Sequence, residues 1–176
     1  MKNIVIIGMS GIGKSEKGKY LANLLGWTFL DTDEEIVRRE KITIEEIFIK
    51  YGEDYFRDVE SNLMSEISTM SNMVISTGGG IVLNSDNIEN LRKNGYIFLF
   101  MGKIQTIVDN LTSSNVVRPL LKGGTATLYE KVEKLFRGRE QLYLASSDVI
   151  INVDNKSIEQ ICKEVIGEYN RLAEIS

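Results

Sequence analysis

The sequence contains no histidine among its 176 residues, and it has only one cysteine, one proline and one tryptophan. The lack of histidine excludes four kinds of site: a Ser-His-Asp triad, a Cys-His pair, a His-liganded zinc site and an imidazole pH switch. Any catalysis must therefore use carboxylates, cations, backbone dipoles or a metal held by oxygen ligands.

Cysteine and long apolar runs are also scarce. Cys162 has no second cysteine to pair with, which is typical of a reducing compartment. It shares a helical apolar face with Ile161 and Val165, so we expect it to pack in the core. No apolar run reaches the roughly 20 residues that a membrane helix needs. We predict a cytoplasmic protein that does not enter a membrane.

An excess of positive charge is absent as well. The chain has 21 Lys and Arg against 25 Asp and Glu, which gives a net charge of −4. Nucleic-acid-binding domains usually carry a basic stripe, so we expect no nucleic-acid partner. The length suits one domain, and we expect residues 1–176 to form a single, monomeric unit.

Short apolar runs alternate with longer helical periods along the chain. The runs lie at residues 4–7, 28–30, 73–76, 96–101 and 149–153. Because they lack polar alternation, they are typical of parallel strands that are covered on both faces. The pattern predicts an α/β fold, a three-layer sandwich in which helices cover both faces of a five-stranded parallel sheet.

Helix boundaries can also be predicted from short signals. Capping-box pairs occur at Thr43 with Glu46, at Thr127 with Glu130 and at Ser157 with Gln160. Three glycines follow helical periods and are predicted to end them in a left-handed conformation: Gly26, Gly52 and Gly95.

Residues 8–15 read GMSGIGKS and match the phosphate-binding pattern G-x-x-x-x-G-K-[ST] between a strand and a helix. Glycines let backbone N–H groups converge on phosphate oxygens at a helix N-terminus. Lys14 is expected to reach the β- and γ-phosphates, and the Ser15 hydroxyl to bind Mg²⁺. The predicted nucleotide-binding residues of this loop are Gly11, Ile12, Gly13, Lys14, Ser15 and Glu16.

Two other classes of nucleotide-binding protein are excluded because the chain lacks one residue of each motif. A dinucleotide fingerprint requires a third glycine where Glu16 stands, and a GTPase loop requires an aspartate where Ile158 stands. A metal-binding acid commonly ends another strand of a P-loop enzyme. In this chain the apolar run at residues 73–76 is followed by Thr77 and three glycines, and no acid stands there.

The acids follow the second apolar run, as Asp31 and Asp33. Two carboxylates two residues apart could face different partners, one Mg²⁺ and the other the phosphoryl acceptor. The alternative is that Asp33 is only the N-cap of a helix over residues 34–40.

Two arginines lie where they need anionic partners. On a helical wheel that continues from Thr127, Arg139 falls within the apolar stripe, so it requires an internal carboxylate or a ligand carboxylate. Arg57 has Glu53 and Glu60 four residues before and three residues after it. That spacing fits either a surface ion-pair cluster or a guanidinium oriented toward an anionic substrate.

A third cationic site is the loop that contains Arg118 and Pro119, followed by two glycines. It is expected to be a mobile lid over approximately residues 112–125 that carries Arg118 onto the transferring phosphoryl group. The alternative is a plain surface loop.

With these motifs in order, the chain resembles shikimate kinases of the P-loop nucleoside-monophosphate-kinase type. The resemblance runs from residue 4 to about residue 154. It rests on the P-loop, FLDTD at 29–33, Gly52 and Glu53 with Phe56, Arg57 and Glu60, TGGG at 77–80, RPLL at 118–121, and Arg139 with Leu142 and Tyr143.

The resemblance implies ATP-dependent phosphorylation of the 3-hydroxyl of shikimate, a step toward chorismate and the aromatic amino acids. It implies Mg²⁺ on Ser15 and Asp31, with Asp33 on the acceptor hydroxyl. Shikimate would be held by Arg57, Arg139 and the backbone around Gly79 and Gly80. Arg118 would close over ATP, and Lys156 would lie near the adenine. The implied catalytic residues are Lys14, Asp33 and Arg118.

The chain also departs from that family. Glu16 replaces a usual Thr or Ser, Leu111 stands where relatives often have an arginine, and Gln141 replaces a proline. Two alternatives therefore stay open. One is another small P-loop kinase, acting on gluconate or a nucleotide. The other is a nucleotide-binding regulatory protein with impaired catalysis.

Overall fold

A computed structural model describes residues 1–113, 121 and 124–175 of the chain. Its sheet has five parallel strands in the order β2-β3-β1-β4-β5. These strands are β1 (Asn3–Ile7), β2 (Thr28–Asp31), β3 (Met73–Ser76), β4 (Gly95–Met101) and β5 (Val149–Asn152). Each contains one of the predicted apolar runs, so the prediction of a five-stranded parallel sheet is confirmed.

Helices connect the strands within the described ranges. They are α1 (Lys14–Leu25), α2 (Thr32–Glu40), α3 (Ile44–Ile67), α4 (Ser85–Lys93), α5 (Ile104–Ser113), α6 (Leu128–Arg137), α7 (Glu140–Ser146) and α8 (Ile158–Ile175). All three predicted capping pairs form their hydrogen bonds, before α3, α6 and α8. Gly26 ends α1 with φ 66°, as predicted.

The core lies on both faces of the sheet. Every residue of β1 and β3 is buried, and so is every residue of β4 except its last. Helices α1 and α8 pack on each other and on the sheet, and α4 and α7 also pack against β4. Continuous apolar strands therefore fit a sheet between two helical layers. Cys162 of α8 is buried in this core, as predicted.

The other two predicted glycine caps have different outcomes. Gly52, with φ 84° and ψ 172°, ends the first helical segment of α3, as predicted, and a second segment begins directly after this kink. Gly95 is the first residue of β4 and caps no helix. A Cβ on Gly95 would lie 2.8 Å from the Leu91 carbonyl oxygen and 2.9 Å from Val5, so close packing explains this glycine.

The helix predicted to continue past Thr127 through Arg139 is interrupted. Helix α6 ends at Arg137, and Arg139 is the N-cap residue of α7 with φ −121° and ψ −11°. The helical wheel was therefore wrong about one continuous stripe. Arg139 is nevertheless buried, as the wheel indicated, because the break turns it toward the sheet edge.

Within the described residues, none of the helices combines the length and apolarity needed to cross a membrane. The expected lid falls largely on residues 114–120, 122 and 123, which lie outside the described ranges.

Candidate active site

The site lies at the carboxyl edge of the sheet. Strands β1 and β3 are neighbours, but the chain leaves β1 for β2 on one side and leaves β3 for β4 on the other. Such a change of direction opens a crevice beyond the strand ends, where ligands of α/β proteins bind. The loops after β1, β2 and β3 line a cavity of about 780 Å³ at this point.

The loop between β1 and α1 has the backbone of a phosphate cradle. Gly8 has φ 141°, and Gly11 and Gly13 both have φ 88°, conformations that residues with a Cβ rarely adopt. Gly13 is the N-cap of α1 and makes no side-chain capping hydrogen bond, so no cap from residue 13 occupies the first N–H groups of the helix. These N–H groups can bind an anion at the cavity wall.

Lys14 is held across this loop. Its Nζ donates to the carbonyl oxygens of Gly8 at 2.8 Å and Met9 at 2.9 Å, and the residue is only 7% exposed. A buried ammonium beside a helix N-terminus fixes positive charge where a polyphosphate would lie.

Helix α5 packs against the loop between β1 and α1 and donates a hydrogen bond to it. Asn110 Nδ2 donates to the Gly11 carbonyl oxygen at 2.8 Å, and the Ile12 N–H of the same peptide donates to Met9 O at 3.2 Å. Leu111 packs so closely on Gly11 that a Cβ there would lie 2.7 Å from Leu111 Cγ. Sequence reasoning did not find the role of Asn110, because α5 and the loop meet only in the folded sheet.

Ser15 and Asp31 meet in the cavity. Ser15 Oγ donates to Asp31 Oδ2 at 2.5 Å and lies 3.4 Å from Ser76 Oγ. The other oxygen of Asp31 accepts from the N–H groups of Asp33 and Glu34, which makes Asp31 the N-cap of α2. The alternative that Asp33 caps this helix is therefore wrong.

Asp33 lies on the first turn of α2, and its side chain is close to the glycines that follow β3. A Cβ on Gly78 would lie 2.6 Å from Asp33 Oδ1 and 3.3 Å from Glu60 Oε1. Gly78 also donates its N–H to Thr32 Oγ1 at 3.1 Å, which ties the β3 loop to α2. The absence of a side chain at 78 lets two carboxylates approach the same point.

A second, smaller cavity of about 80 Å³ adjoins the first. Arg57 lines it and donates to Glu60 at 2.9 Å and to Glu53 at 2.8 Å. Burial lowers the pKa of Arg57, but the two carboxylates outweigh it and raise the pKa overall. The expected ion pairs of Arg57 with Glu53 and Glu60 are therefore confirmed, and the same guanidinium borders a cavity, whereas its contact with a substrate stays a prediction.

Glu60 is the buried member of this cluster, with a side chain only 1% exposed. Burial raises its pKa, and the charge on Arg57 opposes that effect. Its Oε1 is buried, and no hydrogen-bond donor reaches this oxygen from the described part of the chain. The cavity wall therefore presents an acceptor that a ligand hydroxyl can satisfy.

Arg139 and Tyr143 converge on one carbonyl oxygen. Arg139 Nη1 donates to Gly79 O at 3.1 Å, and the Tyr143 hydroxyl donates to the same oxygen at 2.5 Å. Burial raises the pKa of Tyr143 to about 12, which keeps it a neutral donor. Arg139 is 8% exposed, and no carboxylate pairs with it among residues 1–113, 121 and 124–175.

The glycines after β3 make room for neighbouring side chains. A Cβ on Gly80 would lie 2.5 Å from Arg57 Nη1, and a Cβ on Gly79 would lie 2.8 Å from Ser10 Oγ. Both glycines line the small cavity, and Gly79 also lines the large one. A side chain at either position would displace a group of the site.

Some of the remaining predicted residues line a cavity and others do not. Glu16 is exposed and lines the large cavity, whereas Ile12 is buried in the core beneath the loop. Lys156 forms an ion pair with Glu164 at 2.5 Å and borders neither cavity. Arg118 lies outside the described residues. Lys17 lines the large cavity and was missed by sequence reasoning.

Comparisons with known proteins agree with this geometry. A family model described as shikimate kinase matches residues 10–170. The shikimate kinase of Thermoanaerobacter pseudethanolicus is 40% identical over 172 residues, which is 98% of each chain.

Solved structures give the same result. A shikimate kinase from Acinetobacter baumannii in complex with shikimate superposes with a TM-score of 0.89 at 29% identity, covering 97% of this chain and 94% of that one. A gluconokinase from Sinorhizobium meliloti has a TM-score of 0.60 at 17% identity over 98% and 94% of the two chains, a likeness of fold alone. The cradle, the edge carboxylates and these matches place the chain in one family: it belongs to the shikimate kinases, which are ATP-dependent small-molecule kinases.

Proposed function

We propose that this chain transfers the γ-phosphoryl group of ATP to the 3-hydroxyl of shikimate, and that residues 1–176 act as one kinase unit. The proposal rests on the way the two cavities meet. Four residues line both of them: Ser10, Asp33, Ile44 and Gly79. A phosphate cradle thus opens onto a small acceptor pocket through a wall that contains a carboxylate.

The large cavity is the ATP site of this proposal. Lys14 and the N–H groups at the start of α1 would bind the phosphates, because charge-assisted hydrogen bonds from fixed donors are strong in a partly enclosed cavity. The glycine backbone leaves space for this approach. Arg118, which is outside the described residues, is proposed to reach the same phosphates, and Lys156 is proposed to act near the adenine.

Mg²⁺ fits the oxygen atoms at the cavity edge. Within the described ranges, no three acidic or thiol side chains cluster to hold a metal by themselves. Mg²⁺ is commonly held by one or two protein oxygens together with substrate phosphates. Ser15 and Asp31, whose oxygens are 2.5 Å apart, are the protein oxygens that would hold it. When bound, the metal neutralises charge on the transferring phosphates.

The small cavity is the shikimate site. Arg139 is a buried guanidinium without a carboxylate partner in the described residues, and burying a bare charge is costly. A substrate carboxylate would compensate that charge. Arg57, already oriented by its two glutamates, would add a second cation. The backbone of Gly79 and Gly80 and the buried Glu60 oxygen provide contacts for hydroxyl groups.

Asp33 is the proposed base. The acceptor oxygen forms a bond to the γ-phosphorus, the bond from that phosphorus to the bridging oxygen of ADP breaks, and the hydroxyl proton passes to Asp33. Since phosphoryl transfer needs little covalent help from the protein, positioning and charge stabilisation supply most of the rate.

A coupled assay of ATP turnover tests this function. Purified protein is assayed with shikimate, gluconate and nucleoside monophosphates as acceptors, each at millimolar concentration. We expect turnover with shikimate alone, and phosphorus NMR should show a new phosphate monoester. Turnover with gluconate or a nucleotide would contradict the proposal in favour of another small kinase. Nucleotide binding without turnover of any acceptor would favour a regulatory protein.

A further inference from the structure

Lys17 occupies a space that the phosphate cradle leaves for it. Side chains on an α-helix lean toward its N-terminus, and Lys17 belongs to the first turn of α1. Its Nζ fills the volume that a Cβ on Gly13 would need. The ammonium therefore lies directly over the N-cap residue, at the wall of the 780 Å³ cavity.

The charge at this position is not compensated by an ion pair. Across the described ranges, no carboxylate lies within ion-pair distance of Lys17. Burial lowers the pKa of Lys17, whereas the charges of Glu16 and Cys162 oppose that effect. By contrast, Lys19 on the same helix points outward and pairs with Glu34 at 3.4 Å.

A cation at this place is unfavourable in the free protein. The N-terminus of a helix carries partial positive charge, so it repels a cation. Lys14 already brings one buried ammonium to the same loop. A half-buried lysine held against both costs free energy, unless an anion is bound between them.

We propose that Lys17 is a second nucleotide-binding cation, which contacts the phosphate chain of the ATP molecule that Lys14 also binds. This inference rests on the proposed function only in taking the large cavity as the nucleotide site. Lys14 is tethered to the carbonyl oxygens of Gly8 and Met9. Lys17 adds charge from the helix side of Gly13 and offsets the negative charge that Glu16 brings to the same cavity.

Calorimetric titration of Lys17→Met with Mg-ATP and with Mg-ADP tests the proposal. Methionine is unbranched and nearly as long as lysine, and it carries no charge. We expect both nucleotides to bind about tenfold more weakly, which corresponds to about 1.4 kcal/mol. Lys17→Arg should stay within threefold of the parent protein. Lys19→Met, on the same helix but outside the cavity, is the matched control and should bind both nucleotides normally.

Thermal unfolding separates this role from a structural one. Without nucleotide, Lys17→Met should be at least as stable as the parent protein, because it removes an unfavourable cation. With saturating Mg-ADP, its increase in Tm should be smaller. If Lys17→Met does not fold, Lys17→Gln replaces it under the same criteria.

The proposal is overturned if the uncharged variant binds both nucleotides within twofold of the parent protein. It is also overturned if weaker binding is accompanied by an equal loss of stability in the nucleotide-free protein. These measurements do not depend on the acceptor. Failure of the parent protein to phosphorylate shikimate would refute the proposed function and leave the Lys17 result standing.

Discussion

At the scale of single residues, the site is built from charges whose burial is only partly compensated by the protein. Arg57 forms ion pairs with two glutamates, whereas Arg139 donates to the Gly79 carbonyl oxygen and forms no ion pair within the described structure. A guanidinium that donates to one carbonyl retains further N–H groups for a ligand. The difference predicts that Arg139 contributes more to substrate binding than to the stability of the free protein.

Arg139→Ala should weaken shikimate binding by about 2–5 kcal/mol, the usual effect of truncating one member of a buried charge pair. Calorimetric titration with shikimate measures this change. Arg137→Ala is the control, because Arg137 is exposed and pairs with Glu133 at 2.8 Å. Unchanged shikimate affinity in folded Arg139→Ala would mean that Arg139 is not the carboxylate ligand.

Asp33→Asn should reduce kcat by about 10²–10⁴, the range expected for loss of a general base. The KM for ATP should change little, because Asp31 and not Asp33 contacts Ser15 and caps α2. Steady-state kinetics with both substrates measure the two effects. A normal kcat would contradict the assignment of Asp33 as the base.

At the scale of elements, helices α2 and α5 control the geometry of the loops at the sheet edge. Helix α2 carries Asp33, and its last turn is joined to α3 through Arg39, which donates to Glu66 at 2.6 and 2.9 Å. Helix α5 is held to the P-loop by Asn110. Residues far apart in the chain thereby share one rigid frame, which preorganised catalysis requires.

Asn110→Ala should raise the KM for ATP severalfold, because the Gly11–Ile12 peptide loses one of the two hydrogen bonds that orient it. The KM for shikimate should change little. Gln105→Ala is the control, since Gln105 lies on the same helix and donates only to Asp109 in the described structure. An equal rise of KM for ATP in both variants would contradict a specific role for Asn110.

Stability should fall in acid partly through Glu35. Its hydrogen bond to Arg38, reinforced by Arg39, lowers its pKa from 4.5 to about 2. Because the pKa is lower in the folded state, Glu35 makes its full contribution to the free energy of unfolding above about pH 4.5. That contribution is lost as the pH falls toward 2. Glu35→Gln should therefore flatten the free energy of unfolding against pH in that window, as urea titrations can measure. The same slope in Glu35→Gln and in the parent protein would contradict this contribution of Glu35.

At the scale of the whole molecule, one sheet supports two adjoining cavities, which are the proposed nucleotide and shikimate sites. The strand order brings the ends of β1, β2 and β3 together, so the phosphate cradle, Asp31 and the triple glycine face a common crevice. The continuous core beneath them joins both helical layers. Because a ligand that binds only the folded state stabilises the entire cooperative unit, binding at either site should be seen in global unfolding.

Mg-ADP and shikimate should each raise the free energy of unfolding by about 2.7 kcal/mol at 100 times their Kd. In Arg139→Ala, the effect of shikimate at the same concentration should fall below about 1 kcal/mol, because a Kd weakened by about 2 kcal/mol or more leaves little saturation, while that of Mg-ADP is retained. Thermal shift measurements follow both ligands in parallel. Loss of both responses would contradict two separable sites.

Much of the fold could be predicted from local patterns, because parallel strands and capped helices carry strong local signals. The unpredicted features depend on contacts between distant segments. The break before Arg139 and the position of Gly95 in β4 are decided by packing. Asn110 carries no recognisable motif, and its role appears only when α5 meets Gly11.

The sequence by itself determined the chemistry that this protein can use. With no histidine, it left catalysis to carboxylates, cations, backbone dipoles or a metal on oxygen ligands, and its P-loop motif predicted where phosphates would bind. The tertiary structure decided which charges meet. Asp31 caps α2, and Arg57 pairs with two glutamates. Arg139 forms no ion pair within the described residues, and the Lys17 ammonium lies over Gly13. Residue spacing sets only neighbours within one helix or strand, whereas burial and electrostatics depend on segments that the sheet brings together.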